Sequence, residues 1–172
     1  MIVYLSEKSK FINDVDDGSI EVVIESAFTK ATGRRVGESE KKSWKNSLGF
    51  MERIVHDAEI PNDAGVAIEF HIPRSSNRVD FILTGLDEND KRSVIIVELK
   101  QWSEVEVTDK DAIVKTFIGK SKIETPHPSY QAWSYSTLMS DLNEAIEKDE
   151  IRLTPCAYLH NCAQDDVLND AQ

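Results

Sequence analysis

The apolar positions fall into segments of two different periods. Ile2 to Leu5 is a short apolar run closed by Ser6, which predicts a strand. From Ile20 the positions Val23, Ile24, Ala27, Phe28 and Ala31 recur at helical spacing up to Gly33, and predict a helix. Trp44, Leu48, Met51 and Val55 then repeat at i, i+4, i+7 and i+11, predicting an amphipathic helix over 39–57 that opens at Ser39 and is followed by Pro61 and Asn62. Glu40, four residues before Trp44, continues the apolar stripe and is aimed inward.

Three extended segments follow: 65–72 (GVAIEFHI), 78–83 (RVDFIL) and 93–99 (SVIIVEL). PRSSN and TGLDENDKR separate them. The second separator is rich in Gly, Asp and Asn, so the strands are expected to be antiparallel neighbours. Residues 103–126 carry no clear period, with 112–118 the extended candidate. Pro128 sits where a helix N1 proline would, and Tyr135, Leu138, Met139, Leu142 and Ile146 predict one helix running to about Lys148. Residues 152–160 (RLTPCAYLH) read as a strand returning by a right-handed crossover to lie parallel to the third. The expected fold class is α/β: one domain over 1–172 built on a mixed sheet of about four strands flanked by helices, with 1–36 as an N-terminal extension.

Composition narrows the function classes. A chain of 172 residues with 40% hydrophobic content can fill one core without staples, and its net charge of −11 excludes a uniformly basic nucleic-acid binder. No apolar run approaches the length of a membrane span or secretory signal, so a soluble, cytoplasmic protein with no membrane partner is expected. Cys156 and Cys162 lack zinc-ligand spacing and are expected to be thiols. Charge reverses locally: residues 30–53 hold seven basic and three acidic side chains. Lys41, Lys42 and Lys45 in that stretch are therefore the candidates for phosphate contact, against the reading of a solvated helix face.

Three charges stand where strands should be apolar. Asp80 is mid-segment in RVDFIL, and Glu98 and Lys100 close IIVELK. Strand period puts Glu98 and Lys100 on one face, and a hairpin partner can bring Asp80 beside them. Two carboxylates taken out of water repel unless a cation is shared, and hard oxygen ligands suit Mg²⁺ or Mn²⁺. The competing reading is a buried salt-bridge network in which Asp80, Glu98 and Lys100 balance one another.

Asp80 followed eighteen residues later by Glu98-Leu99-Lys100 resembles the PD-(D/E)xK nuclease signature, with Val79 where the motif has proline. Gln131-Ala-Trp-Ser-Tyr135 is similar to the Q-x-x-x-Y motif of RecB-like nucleases. The runs SWKNSL, IPNDAGVAIEF, VIIVELKQW, HPSYQAWSY and PCAYLHN resemble the N-terminal domain of bacterial proteins in which such a module precedes a Schlafen-like DNA/RNA helicase domain. The resemblance implies a restriction-endonuclease-like core (α-β-β-β-α-β) that hydrolyses DNA, or else RNA. It implies Asp80, Glu98 and the Leu99 carbonyl as ligands of Mg²⁺ or Mn²⁺, Lys100 as the catalytic lysine, and Gln131 and Tyr135 as supports. It also implies an accessory glutamate, Glu40 with Glu69 as competitor, and a helicase-like ATPase partner, with antiviral defence as the setting; Glu69 reads equally as a strand carboxylate paired with Arg78 or Lys100. A non-catalytic module that binds nucleic acid or docks onto the ATPase is the alternative. His127 is expected to cap a helix or pack in its loop, and Trp102, Trp133 and Tyr130 either to stack on bases or to pack in the core.

Overall fold

The computed structural model describes residues 2–163. Its main sheet has five strands in the order β1-β2-β3-β4-β8. These are β1 (Ile2–Glu7), β2 (Gly65–His71), β3 (Arg78–Leu86), β4 (Arg92–Lys100) and β8 (Arg152–Leu159). The first four run antiparallel in succession, and β8 pairs parallel to β4, with Glu98 opposite Ala157 and Lys100 opposite Leu159. The expected parallel return is thus present, in a mixed α/β fold with one strand more than expected. The additional strand is β1, which lies antiparallel along β2 and brings Val3 and Tyr4 into the main core.

Helices α1 (Lys8–Asp16), α2 (Ile20–Thr32) and α3 (Glu38–Val55) cover one face of the sheet, where Phe11, Ile24, Trp44 and Leu48 pack against Val66, Ile68, Phe81 and Val97. Helix α1 has few apolar residues and escapes a search for periodicity. Its buried Lys8 donates to the backbone carbonyls of Asp57 (2.7 Å) and Ile60 (2.6 Å) beyond the end of α3, which satisfies a buried ammonium without a carboxylate. The opposite face is covered by α4 (Pro128–Leu142), whose Tyr135, Leu138 and Met139 pack on Ala67, Ile82 and Ile96.

The second half corrects one expectation, the single helix, and bears out another, the extended candidate at 112–118. The single helix to about Lys148 is two, because Asn143 leaves the helical region (φ −134°, ψ 96°) and its side chain caps α5 (Glu144–Lys148) by accepting from the Ala145 amide. Residues 103–126 form a second, antiparallel sheet of β5 (Glu106–Val107), β6 (Ile113–Ile118) and β7 (Ser121–Pro126). Lys110–Glu124 and Lys122–Glu106 ion pairs cross it. Its buried Val105 and Val114 meet Leu159, which places this small sheet at the carboxyl ends of β4 and β8. Among the described residues no helix is long and apolar enough to cross a membrane.

One irregularity in the main sheet matters for chemistry. Along β2, Val66 and Ile68 face the α3 core, yet Phe70 and Ile72 face the α4 core. Along β3, Phe81 and Leu83 face α3, whereas Val79 faces α4. Both pleats therefore reverse between these residues, at Glu69 and at Asp80. Glu69 takes up the reversal with φ +57°, a conformation that costs a non-glycine residue of the order of 1 kcal/mol or more.

Candidate functional site

The carboxyl end of β4 meets this irregularity. Asp80 accepts a 2.9 Å hydrogen bond on Oδ2 from the Leu99 amide, so the aspartate is tied to β4 by its side chain. Glu98 and Lys100 share the phase of Ile96 and face α4, as expected from the strand period. Lys100 Nζ lies 2.6 Å from Glu98 Oε1, and 5.4 Å from the centroid of the Trp102 ring. Gln131, in the first turns of α4, donates to the same Glu98 Oε1 at 2.7 Å and to the Tyr135 hydroxyl at 2.7 Å. The second motif therefore meets the first at Glu98 through Gln131, with Tyr135 bonded to Gln131.

Glu98 is 3% exposed, and its Oε2 has no hydrogen-bond partner although it is buried. Burial pushes the Glu98 carboxyl up to about 7, with the Asp80 charge acting in the same direction and Lys100 opposing. Asp80 is raised too, chiefly by burial, against the Leu99 amide, Lys100 and Arg78. Neither carboxylate is comfortable ionised beside the other, and a shared cation would relieve both. Among the described residues no group of three or more His, Cys, Asp or Glu side chains is placed to hold a metal ion. Two carboxylates and a carbonyl are a smaller set, of the kind Mg²⁺ accepts while keeping several waters. The orphaned buried oxygen of Glu98 beside a second destabilised carboxylate fits that ion.

An open cleft of about 480 Å³ exposes this group, lined by Arg78, Asp80, Glu98, Lys100, Gln131 and Tyr135 among others. Behind it, on the α3 side, lies a smaller cavity of about 100 Å³ bounded by Glu40, Trp44, Ser47, Glu69, Arg78 and Asp80 among others. Arg78 and Asp80 border both. Arg78 pairs with both candidates for the accessory carboxylate: Nη1 is 2.9 Å from Glu40 Oε1 and Nε 2.5 Å from Glu69 Oε2. Glu69 Oε1 also accepts from Trp44 Nε1 at 2.6 Å, yet burial outweighs these partners and raises its carboxyl to about 7. Trp44→Phe removes that donor and leaves a buried oxygen unsatisfied, so it is expected to cost about 1–3 kcal/mol, read as a fall in Tm.

Arg78 is the partner expected for Glu69 as a paired strand carboxylate; what sequence reasoning missed is that the same arginine also pairs with Glu40 and lines the cleft. Gln101, next to Lys100, was also missed: its amide donates to Ser43 Oγ (2.6 Å) and Ser47 Oγ (3.2 Å), and fastens the end of β4 to α3. His127 caps α4 as expected, accepting from the Ser129 amide.

Carboxylates accompany the lysine face. Lys41 pairs with Glu38 (2.6 Å) and Glu25 (3.3 Å), and Lys45 with Glu21 (3.3 Å), so acidic residues of α2 offset two of the three candidates while Lys42 is exposed. A charge count along one segment does not see the carboxylates that another helix brings alongside. Tyr130 and Trp133 are about half exposed and lie against each other with centroids 5.5 Å apart, so they are not core residues; Trp102 packs with Val105 and Val114.

The fold and site define a mixed α/β protein with a carboxylate–lysine centre at a strand end. No family model matches the chain, and neither does any curated protein or solved structure.

Proposed function

We propose that this chain is a divalent-metal-dependent nuclease module, with a restriction-endonuclease-like core, that hydrolyses phosphodiester bonds of DNA or RNA. The observation that carries the reading is the buried, partnerless Oε2 of Glu98 beside Asp80 in an open polar cleft. Asp80, Glu98 and the Leu99 carbonyl would hold Mg²⁺ or Mn²⁺. When bound, such an ion polarises a phosphodiester and lowers the pKa of a coordinated water.

The protein's own groups have separable roles. Gln131 and Lys100 both occupy Glu98 Oε1, which fixes the carboxylate and leaves Oε2 as its ligand atom. Lys100 supplies positive charge where negative charge develops on the phosphoryl oxygens. Tyr135 orients Gln131, and Glu40 and Glu69 hold Arg78 at the rim of the cleft. With Lys41 and Lys45 engaged by carboxylates, phosphate affinity falls to a partner, for which a helicase-like ATPase in a cytoplasmic, defence-related setting is the proposed source.

The same engaged lysines favour a second reading, a catalytically inactive module that docks onto such an ATPase. Melting curves in EDTA, Mg²⁺ and Mn²⁺, together with cleavage of labelled single- and double-stranded DNA and RNA, separate the two. Ion-dependent cleavage with a rise in Tm is expected. A Tm indifferent to both ions, with every substrate intact, would leave the docking module.

A further inference from the structure

Three acidic side chains converge on Arg78 from three different elements. Glu40 comes from α3, Glu69 from β2 at its positive-φ position, and Asp80 from β3. The guanidinium contacts the first two directly, and the charge of Asp80 also acts on it. Glu69 is 3% exposed, so its charge has no access to bulk water as a substitute partner. All three border one cavity of about 100 Å³ with Arg78, and the cation they share there is a side chain.

We infer that the Arg78 guanidinium takes the place of a second divalent ion among Glu40, Glu69 and Asp80, so that the centre accepts one divalent ion and not two. Charge supports this count. Glu40, Glu69, Asp80 and Glu98 carry four negative charges when ionised; Lys100, Arg78 and one divalent ion return four positive charges. A second divalent ion beside Arg78 would leave the cluster with an excess of two. Without Arg78, the same carboxylates fall three charges short after Lys100: one divalent ion leaves a deficit of one and a second an excess of one, so charge no longer excludes the second ion. Arginine suits the role because its charge is permanent and its fork of donors can serve two carboxylates at once. The inference rests on the metal-dependent reading for the first ion and on the Arg78 geometry for the second.

The test counts ions. Wild type, Arg78→Met, Arg78→Lys and the double variant Arg78→Met/Glu69→Gln are titrated with Mn²⁺ by calorimetry, with free Mn²⁺ followed by electron paramagnetic resonance. One bound Mn²⁺ is expected in wild type, two in Arg78→Met, and one again in Arg78→Lys and in the double variant. Two ions in wild type, or equal counts in wild type and Arg78→Met, would overturn the inference. The nuclease reading fails separately: no ion in wild type but one in Arg78→Met keeps the role of Arg78 and removes the Asp80–Glu98 site, whereas one ion in each does the opposite. Arg78→Met also strands a buried carboxylate and is expected to melt lower in EDTA. Mn²⁺ should then restore its Tm by a larger shift than in wild type, since an ion bound only by the folded state raises stability. An Arg78→Met protein that stays unfolded whether or not Mn²⁺ is present would count against the inference.

Discussion

Glu98→Gln is expected to lower metal-dependent cleavage by more than about 100-fold, because removal of even an outer partner of a metal ligand costs roughly 10- to 100-fold and Glu98 is proposed as the ligand itself. The substitution preserves shape and can still accept from Lys100 and Gln131 through its amide oxygen, so the fold is expected to survive. In EDTA the Tm should hold or rise, because a carboxylate held up near 7 by burial and by Asp80 is replaced by a neutral group. The balanced salt-bridge reading predicts the reverse, a loss of about 3–5 kcal/mol when one partner of a buried pair is removed. Single-turnover cleavage and thermal melting on the same preparation distinguish them. A large fall in Tm with no change in ion dependence would sink the proposed metal role.

Metal-free protein is expected to lose stability as pH rises from about 4.5 to about 7. In the folded state the Glu98 carboxyl titrates at about 7 instead of 4.5, so over this window the folded state keeps a proton that the unfolded chain has released. Stability therefore falls with rising pH and is lowest above the folded value. Asp80, raised in the same direction and sharing the repulsion, reinforces the trend. At about 1.4 kcal/mol per pH unit, the Glu98 shift corresponds to about 3 kcal/mol. Glu69 titrates in the same window, so the difference between wild type and Glu98→Gln isolates the pair. Urea melts at pH 5 and pH 8 in EDTA should show the fall, and saturating Mn²⁺ should abolish the part that Glu98→Gln removes. A difference curve that is flat in EDTA would mean that Glu98 is already compensated by Lys100.

Much of the scaffold is legible in the chain because it obeys single periods. The i, i+4, i+7, i+11 stripe of Trp44, Leu48, Met51 and Val55 is the buried face of α3, and the apolar runs around Ile68, Phe81 and Ile96 are central strands. Glu98 and Lys100 on one face of β4, and Gln131 and Tyr135 on one face of α4, follow from strand and helix periods. Apart from the extended candidate at 112–118, which is β6, the small sheet and the break at Asn143 are not legible in this way: the two-residue β5 carries no period, and a cap is a side-chain bond that hydropathy does not register.

At the candidate centre the division is sharper. The sequence by itself determined which ionisable groups stand in apolar surroundings, namely Asp80, Glu98, Lys100 and the inward-phased Glu40, because a charge in a strand or on a core stripe is conspicuous wherever the chain folds. Only the tertiary structure decided their partners. The pleat reversals at Glu69 and Asp80 break the alternation on which face assignment depends, and they let β2 and β3 deliver carboxylates to Arg78 and to the end of β4 together. The pairing of Lys41 and Lys45 with α2 was settled in the same way. Electrostatic neighbours are set by distance in space, and local periodicity fixes that distance only within one element.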